Sequence, residues 1–115
     1  MNEDIGLMVE IYKTYNIDWM GDEIKSLSDL TRHHIVKRCK EGIDGIENYA
    51  LLTTSSHRLL HYLEDNYYEA YIELNELFLS LNRSLLPPTI DYYEKVRKTV
   101  KRCKKSIKNE RRRHK

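Results

Sequence analysis

Apolar residues recur at helical spacing over residues 4–15, where Ile5, Met8, Val9, Tyr12 and Tyr15 share one side, and this predicts a short amphipathic helix. The period changes at Ile17-Asp-Trp-Met20, whose alternation predicts a strand, with Gly21-Asp22 as the turn after it. Thr31 to Lys37 is rich in β-branched residues and predicts another strand. A loop punctuated by Gly42 and Gly45 follows, and then the apolar run Tyr49-Ala-Leu-Leu52. Thr53-Thr54-Ser55-Ser56 is a cluster of side chains that accept hydrogen bonds from the unpaired N–H groups of a helix start, so one of them should begin the next helix. No Gly or Pro interrupts residues 56–86, which predicts one long helix or two, with Asp65-Asn66 the expected break and Pro87-Pro88 the stop. Thr89 can cap a final helix in which Tyr93, Val96, Val100, Cys103 and Ile107 form the apolar stripe. The pattern predicts an α+β fold, a mainly helical small domain around a β-hairpin, and 115 residues predict one domain.

Composition narrows the setting. No apolar run approaches the roughly 18 residues that span a bilayer, and Met1-Asn2-Glu3-Asp4 lacks the basic start of a secretory signal. Cys39 and Cys103 are far apart and in no Cys-x-x-Cys pair, which predicts free thiols in a reducing compartment rather than a disulfide framework. A soluble, cytoplasmic protein with no membrane partner is expected. The net charge of +2 hides a division: residues 1–94 hold 8 Lys and Arg against 17 Asp and Glu, while residues 95–115 hold 12 against 1. A strongly basic C-terminus on an acidic body is the arrangement of a chain whose tail meets a polyanion.

Four of the five histidines fall within 29 residues, in the order His33-His34, Asn48, His57, His61. On a helix starting near Ser56, His57 and His61 lie at i and i+4, one turn apart on one face, the spacing by which two imidazoles can reach a single cation. The apolar stripe Leu59, Leu60, Leu63 and Tyr67 is centred roughly 130° away from that pair. His33 and His34 are adjacent on a predicted strand, so their side chains point to opposite faces. That suits different roles, one as ligand and one as base, and a neutral imidazole is suited to the base role near neutral pH.

The stretches Leu30-Thr-Arg-His-His-Ile-Val, Glu47-Asn-Tyr-Ala-Leu-Leu52 and Ser56-His-Arg-Leu-Leu-His61 together resemble the HNH endonucleases, which have the ββα-metal, or His-Me finger, fold. The spacing is most similar to that of the colicin-type DNase branch. The resemblance covers about a third of the chain, and it implies a metal-dependent phosphodiester hydrolase acting on DNA, duplex or nicked. By position, it implies that His34 is the general base and that His33 and His57 hold one divalent cation (Mg, Mn, Ni or Zn), with His61 a third ligand. Asn48 would brace the loop and position the base. It further implies a finger core over residues 30–64, a helical extension over 65–88, and a basic C-terminal helix and tail over 89–115. Bacterial or phage-infected cells are the implied setting, with a homodimer or a larger nuclease or packaging assembly as protein partners. A non-catalytic nucleic-acid-binding or phage or mobile-element assembly module that keeps the finger is the alternative.

The chain departs from the family pattern where many members carry two Cys-x-x-Cys pairs. Trp19-Met20-Gly21-Asp22 and Ser55-Ser56 stand there instead, and Lys37 replaces a frequent proline. Ser55-Ser56-His57 lacks the flanking glycines of a nucleophile elbow, so helix capping accounts for its serines. Glu64, Asp65, Glu69, Glu73 and Glu76 read as a solvated face or as counter-charges to the basic helix. Arg32 and Arg58, beside site residues, are candidate phosphate contacts. So are Lys98, Lys101, Arg102, Lys105 and Lys108 of the last helix, with Arg111, Arg112 and Arg113 beyond them.

Overall fold

A computed structural model describes the backbone of residues 2–113 and the side chains of residues 2–104. The first helix, α1 (Glu3–Tyr12), starts at Asn2, whose side chain accepts the Asp4 N–H, and stops at Lys13 in the left-handed conformation. It therefore ends before Tyr15, which is exposed and reaches back to Glu10.

Strand β1 (Leu30–His34) pairs antiparallel with β2 (Tyr49–Thr53), with Leu30 opposite Thr53 and His34 opposite Tyr49. The expected strand 31–37 thus ends three residues early, because Ile35 N donates to the Asn48 carbonyl and Val36 N to the Asn48 side chain. The expected strand at Ile17–Met20 is not formed: only an isolated bridge joins Ile17 to Glu23. The cause is Asp18, fully buried, whose carboxylate accepts the N–H groups of Met20 and Asp22 and curls the chain into a turn. The other Asp18 oxygen accepts the Thr53 N–H, so this turn is tied to the end of β2, and the single Thr53 hydroxyl proton lies within reach of both Asp18 and Asp22.

Helix α2 (Thr54–Asn66) follows β2 without a loop, capped by Thr53, which accepts the Ser56 N–H. It ends where the Asn66 amide donates to the Tyr62 carbonyl, and Tyr67 is the joint to α3 (Tyr68–Ser84), beside the expected break. Thr89 caps α4 (Ile90–Arg113) by accepting the Tyr92 N–H. The residues of α4 most deeply buried are Tyr92, Val96, Thr99 and Cys103. The stripe is therefore turned from the expected one: Tyr93 and Val100 lie at its flank, and the Ile107 side chain is outside the described residues.

The hairpin lies between two layers. Thr31, His33, Ala50 and Leu52 share the face against α2 and α3, where His33 meets Tyr71 and Phe78. Arg32, His34, Tyr49 and Leu51 share the face toward α1, where Arg32 lies 3.8 Å from Asp4. Two buried tyrosines bind distant parts of the chain: Tyr12 donates to the Asn82 carbonyl and Tyr92 to the Trp19 carbonyl. Among the described residues, no helix is long and apolar enough to cross a membrane.

Candidate functional site

Alternation along β1 sends the two adjacent histidines to opposite faces of the hairpin. His33 is 5% exposed and packs edge-on to His57, with ring centroids 5.8 Å apart. Its Nε2 lies 2.8 Å from Asn75 Oδ1, which can only accept, so His33 carries its proton on Nε2 and leaves Nδ1 with a lone pair. Burial lowers its pKa to about 4, against an opposing effect from the Asn75 hydrogen bond, and the neighbouring histidines add smaller lowering effects. His33 is a neutral imidazole at neutral pH.

His57 sits one turn into α2, and its Nδ1 lies 2.7 Å from Thr31 Oγ1. That hydroxyl has one proton and donates it to the Leu52 carbonyl, so it accepts from His57 and holds the tautomer with the lone pair on Nε2. Burial first, then His61, lowers the His57 pKa. His61, one turn further, stacks on His57 with centroids 4.9 Å apart and rings within 13° of parallel, and its Nδ1 is 3.7 Å from Glu64. Glu64 also pairs with Lys37, which fastens the loop after β1 to α2.

The structure thus gathers His33, His57 and His61 on one side of the hairpin and leaves His34 on the other. His34 Nε2 is 3.1 Å from Asp44 Oδ1, and its ring lies edge-on to Tyr49. The Tyr49 hydroxyl donates to the same Asp44 oxygen; this bond and the one from His34 hold the Asp44 pKa below the usual carboxylate range. The loop between the strands hangs on Asn48, which is buried: its Oδ1 accepts from Val36 N, and its Nδ2 donates to the carbonyls of Val36 and Ile43. Asn48 is a loop clamp that reaches no imidazole directly.

Among the described residues, no group of three or more His, Cys, Asp or Glu side chains is arranged to hold a metal ion. The stacking of His57 and His61 accounts for this, since parallel rings do not bring two nitrogens to one point. The donor chemistry nevertheless fits a borderline divalent cation. Two neutral imidazoles each offer one lone pair and bind a polar partner through the other nitrogen, the arrangement that orients histidine ligands. His61, with its side chain 63% exposed, has room to turn out of the stack.

Other expected contacts are partly engaged within the protein. Arg32 bonds the Tyr49 hydroxyl and lies over its ring, and Arg102, although exposed, pairs with Glu73. Arg58, Lys98 and Lys101 are exposed or at the surface edge, while the side chains of Lys105, Lys108, Arg111, Arg112 and Arg113 lie outside the described residues. Asn75, Thr31 and Asp44 are site residues that sequence reasoning missed. For Asn75 a signal exists: with Asn82, seven residues on, it breaks an otherwise apolar helix stripe of Tyr71, Leu74, Phe78 and Leu81. Comparison of the chain with protein-family models, with curated proteins and with solved structures finds no match.

Proposed function

We propose that this chain is a metal-dependent endonuclease of the HNH type that hydrolyses phosphodiester bonds in DNA. One observation carries the reading: a hairpin running directly into a helix gathers three imidazoles, two of them neutral and each hydrogen-bonded to the protein through one nitrogen. His33, His57 and His61 would hold one divalent cation. When bound, it supplies Lewis-acid stabilisation of charge building on the phosphate and the leaving 3′-oxygen. His34 acts as the general base. With Nε2–H directed to Asp44, its Nδ1 is the atom that takes the proton from the attacking water. Asn48 fixes the loop that carries Asp44, and α4 supplies cations for the phosphate backbone.

The non-catalytic module is the second reading, and what favours it is the parallel stack of His57 on His61 together with the seclusion of His34 on the opposite face. A plasmid-nicking assay with Mg, Mn, Ni and Zn, run beside His34→Ala, separates the two. Metal-dependent nicking that drops about 10²–10⁴-fold in the variant is expected for general-base loss. No nicking with any metal, or nicking unchanged by His34→Ala, would remove the enzyme reading or the base assignment respectively.

A further inference from the structure

The described cations of α4 meet two different surroundings. Lys95 pairs with Asp91, Arg102 with Glu73, and Lys98 stands in a groove whose far wall is Glu73 and Glu76 of α3. Arg97, Lys101 and Lys104 recur at four- and three-residue spacing and line a cleft of about 700 Å³ between α4, the 17–22 turn and the first residues of α2, with Lys101 also bordering the Glu73–Glu76 groove. The floor of this cleft is apolar, made by Met20, Leu59, Tyr93 and Val100. Two carboxylates also line it, Asp22, which is within hydrogen-bond reach of the Thr53 hydroxyl, and Glu94 of α4, against the three cations. Arg97, Lys101 and Lys104 are exposed, and among the described residues none of them is in an ion pair.

We infer that this cleft takes a single strand of nucleic acid, with phosphates on Arg97, Lys101 and Lys104 and bases against the apolar floor. The inference rests on the nucleic-acid substrate proposed above, and it does not depend on hydrolysis. A helix rises about 1.5 Å per residue, so the three cations span about 10 Å. That is long enough for cations at its two ends to meet different phosphates of one strand. A duplex would meet the cations but keep its bases stacked away from the floor. An acidic peptide would supply charge without flat apolar faces. An unpaired strand presents an anion and a flat apolar face at every nucleotide, the pairing that charged grooves with aromatic platforms use. A gapped substrate carries such a strand next to duplex.

The test uses the full chain with His34→Ala, in EDTA so that no cleavage intervenes, titrated with a labelled oligo-dT over a range of salt. On a single strand, removing a cation that neutralises one phosphate should flatten the slope of log affinity against log salt by about 0.7. Arg97→Gln with Lys104→Gln should therefore flatten it by about 1.4, while Lys98→Gln changes it little. Tyr93→Leu, which keeps an apolar side chain but removes the flat ring, should weaken binding about five-fold or more, and Tyr93→Phe should bind like the parent. The inference is overturned if Lys98→Gln flattens the slope as much as the pair. Unchanged affinity in Tyr93→Leu would also overturn it, as would competition by duplex or polyglutamate at equal charge matching that of unlabelled oligo-dT. Failure of plasmid nicking with these binding results intact would refute hydrolysis and leave the cleft assignment standing. Intact nicking with the binding results reversed would do the opposite.

Discussion

His33 is placed where a charge is costly. Folding lowers its pKa from 6.5 to about 4, chiefly because burial disfavours the imidazolium. As pH falls, the unfolded chain binds this proton first, so the stabilisation is complete above about pH 6.5 and lost progressively down to about pH 4. The loss over that window is about 3 kcal/mol, and His57, also lowered, acts in the same direction. The depressed carboxylates Asp44 and Glu64 titrate at lower pH, so the upper part of the window belongs to the histidines. Urea midpoints should fall steadily from about pH 7 to about pH 4.5, and His33→Phe should flatten that fall. An equally steep fall in His33→Phe would assign the acid sensitivity elsewhere. Helical spacing places His57 and His61 on one face and strand alternation sends His33 and His34 to opposite faces, while the choice of His33 as the one that joins the pair came from the HNH resemblance. Asn75 and Thr31 were not legible as its supports, since neither spacing nor residue type reveals which nitrogen a distant side chain will engage.

Among the elements, the loop between β1 and β2 depends on a close approach at Gly42. Its N–H bonds the Lys37 carbonyl, and a Cβ there would lie 1.8 Å from the Val36 carbonyl oxygen. Val36 is also the residue clamped at both backbone groups by Asn48. Gly42→Ala should therefore open the clamp and destabilise the protein by about 2–4 kcal/mol, with the fastest amide exchange gained at Val36. Native-like protection at Val36 in the variant would contradict this coupling. The turn at 17–22 presents the opposite case. Alternating apolarity in Ile17-Asp-Trp-Met20 reads as a strand, yet the Asp18 carboxylate collects the N–H groups of Met20, Asp22 and Thr53 and overrides that pattern. A buried polar anchor of this kind has no period, which is why the helices and β1 were legible in the sequence and this segment was not. Asp18 also joins the turn to the Thr53 cap of α2, tying together two segments that the chain keeps 35 residues apart. Asp18→Ala leaves those donors buried and unpaired and should cost about 3 kcal/mol or more, as read by chemical denaturation. A loss below about 1 kcal/mol would show that solvent reaches them.

For the whole molecule, the link between the N-terminal turn and α4 is the bond from the Tyr92 hydroxyl to the Trp19 carbonyl, 73 residues apart in sequence. Tyr92→Phe removes the donor while keeping the ring, and should lower stability by about 1–2 kcal/mol. Trp19, the one tryptophan and fully buried, reports the unfolding by fluorescence. A Tm drop of about 5 °C is expected, and an unchanged Tm would mean that α4 docks by its apolar side alone. These long-range ties have a consequence for synthesis. The histidine cluster needs Asn75 behind His33, the loop needs Asn82 to hold Ile46 and Tyr49, and the 17–22 turn needs Tyr92. A nascent chain that has only just presented its four histidines therefore lacks every one of these supports. For the chemistry proposed above, the imidazoles are therefore made before the residues that hold them in place, and the cluster and its supports come together only once the chain through Tyr92 is present.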